Sequence, residues 1–175
     1  NDLVTRSGEY LPTLIRDDIF KLLANSGINY IVENVQNYSG ESLAASQEIL
    51  RLASKYNLNY FIGNADIALV GDAAEDRYVN EGVFAAKLAE MVQYESFGGL
   101  YLRDEPTADM FVGADSPMAK ATSLVKEYAQ ENDVGLNIFG NLFPNLGEDT
   151  LTGGASGTGV TDWNSYIQKY IDYVG

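Results

Sequence analysis

Four consecutive residues, Arg103-Asp104-Glu105-Pro106, bring together groups suited to acid/base chemistry and a place in the chain that could present them. They follow Gly98-Gly99-Leu100-Tyr101-Leu102, whose apolar run reads as a β-strand, so the strand delivers carboxylates to its carboxyl end. Pro106 has no N–H to donate and stops the ladder there. Glu105 is therefore the candidate general acid/base. Hydrolysis of a glycosidic bond uses one carboxylic acid to protonate the leaving oxygen and, usually, a second carboxylate as nucleophile or base, about 5 to 5.5 Å away in retaining enzymes. Asp104 is badly placed to be that partner, because successive side chains of an extended strand point to opposite faces. It would instead orient Glu105, touch a sugar hydroxyl, or pair with Arg103 or another cation. The plainer reading of Asp-Glu-Pro is a polar strand end and turn.

Composition narrows the chemistry further. The 175 residues contain no Cys and no His, which removes thiol nucleophiles, Ser/His/Asp triads, zinc sites of the usual ligand types and disulfides. Acid/base work falls to carboxylates, or to Tyr or Lys, and neither a cofactor nor a metal is expected. Lys and Arg number 11 against 25 Asp and Glu, a net charge of −14 that repels phosphate backbones and anionic lipids, so no nucleic acid is expected as a partner. No membrane span is expected either, since no apolar run approaches the roughly 20 residues that one requires. The start Asn1-Asp2-Leu3-Val4 lacks an initiator Met and a basic segment leading into an apolar one, so any targeting segment is expected to be removed or to lie outside these residues. Lack of cysteine fits the cytoplasm as well as export.

The elements that must position the carboxylates repeat as helix then strand. Helices are predicted at about 16–25, 42–56, 81–94 and 116–131, followed by strands at 28–32, 58–62, 98–102 and 135–139, and a last helix runs from Thr161 or Asp162 to about 174. Ser26-Gly27 closes the first helix, and Asp115 or Ser116 with Pro117 opens the fourth. Such alternation specifies an α/β fold with parallel strands and right-handed crossovers, in a single domain over residues 1–175. An open doubly wound sheet suits the length, whereas a complete TIM (β/α)8 barrel takes about 250 residues. No glycine-rich phosphate turn follows the first strand. The strand ends instead carry Asn34, Asn64, Asp104, Glu105 and Asn141, as the rim of a barrel active site would. The expectation is an incomplete segment of a barrel, with apolar residues exposed where further strands would pack.

The string Gly98 to Pro106 resembles the fourth-strand segment of (β/α)8 glycoside hydrolases of the large retaining clan, in which Asn-Glu-Pro is frequent and its Glu is the acid/base. Here Asp104 replaces that Asn, which usually binds the sugar 2-hydroxyl; a carboxylate accepts hydrogen bonds there but cannot donate one. The chain is also similar, from about Arg16 to Val174, to glycoside-hydrolase-like proteins of gut and environmental bacteria, through Asn141-Leu142-Phe143-Pro144-Asn145 and the helix start Trp163-Asn164-Ser165-Tyr166. The resemblance implies that these strands are the second to fifth of a barrel and that the nucleophile, a Glu ending the seventh strand, lies outside this chain; Glu33 is only a weak substitute. It further implies O-glycosidic bond hydrolysis of an oligo- or polysaccharide by an extracellular or cell-surface bacterial hydrolase. Glu105 would be catalytic, and Asn34, Asn64, Asp104, Asn141, Phe143 and Trp163 would bind substrate.

Two other classes stay open: a non-catalytic glycan-binding or structural module on the same scaffold, and an open-sheet protein for a small phosphorylated ligand. Gly154-Ala155-Ser156-Gly157-Thr158-Gly159 has no Lys and lies far from its strand, so it reads as a loop rather than a phosphate cradle. Asp66, Asp72, Glu75 and Asp76 lack the spacing of a preformed Ca²⁺ loop and read as a solvated acidic stretch. Asn37-Tyr38-Ser39 matches the glycosylation acceptor pattern, as chance alone often does. Tyr30, Tyr60, Tyr101 and Phe139 lie within strands and are expected in the core, whereas Phe143 and Trp163, beyond strand ends, could line a sugar site.

Overall fold

The computed structural model describes residues 15–33, 41–63, 81–143 and 157–175. Helix and strand alternate along them: α1 (Asp17–Asn25), β1 (Tyr30–Val32), α2 (Glu41–Lys55), β2 (Asn59–Ile62), α3 (Glu81–Met91), β3 (Phe97–Asp104), a 3₁₀ turn (Ala108–Met110), α4 (Pro117–Asn132), β4 (Asn137–Asn141) and α5 (Trp163–Tyr173). The four strands form one sheet in the order β1-β2-β3-β4, and every neighbouring pair is parallel. The protein is thus α/β with a parallel sheet. Each crossover steps in the same direction, so the strand order does not reverse among the described residues, as it would at the switch point of a doubly wound sheet.

Local chemistry explains the boundaries. Gly27, at φ +78°, takes the left-handed turn that ends α1. Ser116 precedes α4 and Pro117 supplies its first turn, where a missing N–H leaves no helical bond unmade. Asp162 caps α5 by accepting from the Ser165 N–H at 2.7 Å, while the Ser165 hydroxyl accepts from the Asp162 N–H at 3.0 Å. The predicted fourth strand, 135–139, is displaced by two residues in the structure, because Gly140 and Asn141 continue the ladder against Arg103 and Asp104.

The two faces of the sheet differ. On one, Tyr60, Ile62, Leu100 and Leu102 are buried together with Leu50 and Ala53 of α2, Phe84, Leu88 and Met91 of α3, Val125 of α4 and Tyr166 of α5. Right-handed crossovers that always step the same way put the helices on this one face. Across the other runs a row of rings, with centroids 6.1 Å apart for Tyr30 and Phe61, 6.3 Å for Phe61 and Phe139 and 5.3 Å for Tyr101 and Phe139. Tyr60 and Tyr101 are buried as expected, but Tyr30 and Phe139 are 62% and 43% exposed and correct the expectation that they are core. They point away from the helices, on the two edge strands, whose opposite face carries Ile31 and Ile138 against the core.

Candidate functional site

The carboxyl ends of β3 and β4 meet to form the site. Between Tyr101 and Arg103 the pairing with β4 slips, so that Tyr101 faces Phe139, Arg103 faces Gly140 and Asp104 faces Asn141. This bulge inserts Leu102 as an extra residue and changes which face the following side chains take. Asp104 is thereby turned onto the same face as Tyr101. The simple alternation expected from the sequence does not hold across the bulge.

Asp104 is held by the neighbouring strand. The Asn141 amide donates to Asp104 Oδ1 at 2.6 Å, and the Tyr101 phenol lies beside the same carboxylate. Burial pushes the Tyr101 phenol pKa up, and the neighbouring Asp104 carboxylate, followed by the charge of Glu105, pushes it further in the same direction. Asn141 also fixes the next residue, since its carbonyl accepts from the Glu105 N–H at 2.6 Å. Glu105 itself is exposed and has φ +46°. Its carboxylate lies close enough to Tyr101 and Tyr166 to raise both phenols by charge, after the larger effect of burial.

Helix α5 closes one side of the site. Tyr166 is fully buried, and its hydroxyl donates to the Pro106 carbonyl at 2.6 Å. The ring meets Phe111 edge-on at 5.1 Å, and Phe111 meets Tyr170 in the same manner at 5.4 Å. Trp163 Nε1 donates to the Phe143 carbonyl at 3.3 Å, and both side chains are half-buried against the core. Phe143 and Trp163 therefore lie together at the end of β4.

The structure thus brings together Asp104, Glu105 and Asn141 and, beside them, Phe143 and Trp163. Asn34 and Asn64 lie outside the described residues, as do Asn37-Tyr38-Ser39, the acidic stretch from Asp66 to Asp76 and Gly154 to Ser156. Glu33, just after β1, is buried, and its Oε2 accepts from the Gly63 N–H at 3.3 Å. Among the described residues no group of three or more acidic side chains gathers as metal ligands would. Nor is any described helix long and apolar enough to cross a membrane.

Sequence reasoning missed Tyr101 and Tyr166 as members of the site. Tyr101 precedes Asp104 by three residues, a spacing that faces away in a regular strand and comes together only across the bulge. Tyr166 carries no local signal, since its partner Pro106 is sixty residues away. Comparison with known protein families and with curated proteins finds no match to this chain.

Proposed function

We propose that this chain is a carbohydrate-active segment of a (β/α)8 barrel of the glycoside-hydrolase type, with Glu105 as general acid/base acting on an oligo- or polysaccharide. The observation that carries this reading is the exposed Glu105 at the carboxyl end of a parallel strand, its N–H held by the Asn141 carbonyl of the next strand while the Asn141 amide donates to the preceding Asp104. Catalytic groups of βα barrels sit at that end of their strands. The one-directional strand order supports the barrel, and so does the sheet face that carries no helix among the described residues, because parallel sheets are normally covered on both sides and a barrel covers the second by closing on itself.

In this reading the protonated Glu105 gives its proton to the leaving glycosidic oxygen as the bond to the anomeric carbon breaks. The second carboxylate comes from outside residues 1–175. Glu33 is a poor candidate, being buried and bonded to the backbone of β2's end. Phe143 and Trp163 offer ring faces for the apolar side of a sugar. The test is turnover on a panel of para-nitrophenyl glycosides and plant and microbial polysaccharides, using the protein as its gene encodes it. Glu105→Gln should lower kcat by roughly 10²- to 10⁴-fold, and turnover equal to wild type would sink the assignment.

One observation favours a second reading, glycan binding without hydrolysis. Asp104, which stands where the resembling family has a sugar-binding Asn, is already engaged by the Asn141 amide. Saturable affinity for a glycan with no release of reducing ends would decide for it.

A further inference from the structure

Glu105 adopts a left-handed conformation and is followed by proline. A residue with a Cβ is strained there, and the ring of a following proline restricts it further. Strain of this kind persists only where the surroundings impose it. Here they do so from both sides and from two other elements. The Asn141 carbonyl takes the N–H of Glu105 at 2.6 Å, the Asn141 amide takes the side chain of the preceding Asp104 at 2.6 Å, and the Tyr166 hydroxyl takes the carbonyl of the following Pro106 at 2.6 Å. Packing alone gives no reason for a glutamate, since its side chain is exposed and glycine adopts the same φ without cost.

We infer that Asn141 and Tyr166 are positioning residues, which hold a strained turn so that the Glu105 carboxylate projects from the strand end between the Tyr101 and Tyr166 sides of the site. The inference rests on the carbohydrate reading above and deepens it. The bulge in β3 belongs to the same device: it brings Asp104 round to Asn141, whose amide adds a third tie to the strand end. Stability is given up at one residue in exchange for the aim of its carboxylate.

Two measurements test this. The first compares thermal melts of Glu105→Gly and Glu105→Ala, which both lack the carboxylate and differ only in the strain at φ +46°. The glycine variant should melt higher by roughly 3 °C, the reverse of the usual order for these two residues. Equal melts, or a higher one for alanine, would overturn the inference. The second follows the para-nitrophenyl glycoside that the wild type cleaves fastest. Asn141→Ala should lower kcat about 100-fold while KM stays within about twofold, as expected when a reacting group is displaced by about an ångström. Asn141→Asp, of the same size but without the amide N–H, should lose as much, and Tyr166→Phe serves if either fails to fold. Unchanged kcat in a variant that has merely lost stability would show a structural role and overturn the inference. If the wild type cleaves none of the panel, the hydrolase reading falls and takes the positioning role with it, whereas the melting pair still reads the strain by itself.

Discussion

Two strands of this sheet run out into a glutamate, and the two ends are built differently. Glu33, after β1, is 5% exposed and accepts from the Gly63 N–H, so its carboxylate stitches β1 to the end of β2. Glu105, after β3, is exposed and left-handed, and it is the backbone around it that is stitched. A buried carboxylate is tolerable only when hydrogen-bonded, and once bonded it is no longer offered to a ligand. The difference lies in the neighbouring strand. Gly63 has no side chain, which lets the chain of Glu33 approach closely; Asn141 has one, and spends it on Asp104. A strand followed by an acid is therefore the same pattern in sequence and two different objects in space.

The largest effect should come from closing the gap that admits Glu33. In Gly63→Ala the new Cβ would stand 2.0 Å from the Glu33 carbonyl oxygen and 3.3 Å from the Tyr101 ring, and backbone cannot move aside as a side chain can. The expected loss is about 3 kcal/mol or more in urea unfolding. A near-neutral result would mean that the β1–β2 end is looser than the close approach implies. Next in size is the contrast between the glutamates. Glu33→Ala leaves a buried N–H unpaired and should cost about 1 to 3 kcal/mol, whereas Glu105→Ala should stay within about 0.5 kcal/mol of wild type. Equal losses would erase the distinction between a carboxylate bonded inside the sheet and one left exposed at its end.

How much of this was legible in the sequence follows from the range of the interactions involved. Alternating helices and strands are written locally, in apolar periodicity and in caps such as Ser116-Pro117 and Asp162, and they came out in the right order and nearly the right places. The carboxyl-end position of Asp104 and Glu105 was legible for the same reason. What local pattern could not convey was register. The slip between β3 and β4 moves the end of β4 to Asn141 and turns Asp104 toward Tyr101, and it depends on two strands some forty residues apart. Tyr30 and Phe139 were misread because β-propensity records a pleated, packed position without saying which face the helices cover.

A smaller effect separates the two ends by pH. Burial raises the pKa of Tyr101, Tyr166 and Tyr170, all of which surround the β3–β4 end. A group whose folded pKa is raised stabilises the fold below its unfolded pKa and loses that contribution as pH rises toward the folded value. Stability should therefore begin to fall above about pH 10, the ordinary range of tyrosine. Of the 12 tyrosines, these three should give tyrosinate absorbance only as the protein unfolds. Ionisation of all 12 ahead of the loss of far-ultraviolet circular dichroism would mean that the β3–β4 end opens on its own.

The smallest effect tests whether that end leans on α5. The Ser165 N–H, followed by the Ser165 hydroxyl, holds the Asp162 carboxyl below its ordinary pKa. A lowered folded pKa gives stability that is present above about pH 4 and is lost as pH falls through the folded value. Asp162→Ala should remove that acid dependence and lower the melting temperature slightly at neutral pH, by fraying the first turn of α5. Trp163 and Tyr166 lie in that turn and the next, and they grip Phe143 and Pro106. Fraying should therefore speed amide hydrogen exchange at Glu105 and leave Gly63, whose N–H is held by Glu33 across the sheet, at its wild-type rate. Equal acceleration at both amides would mean that the two strand ends open as one unit, and that Glu105 owes its conformation to the whole sheet rather than to α5 and Asn141.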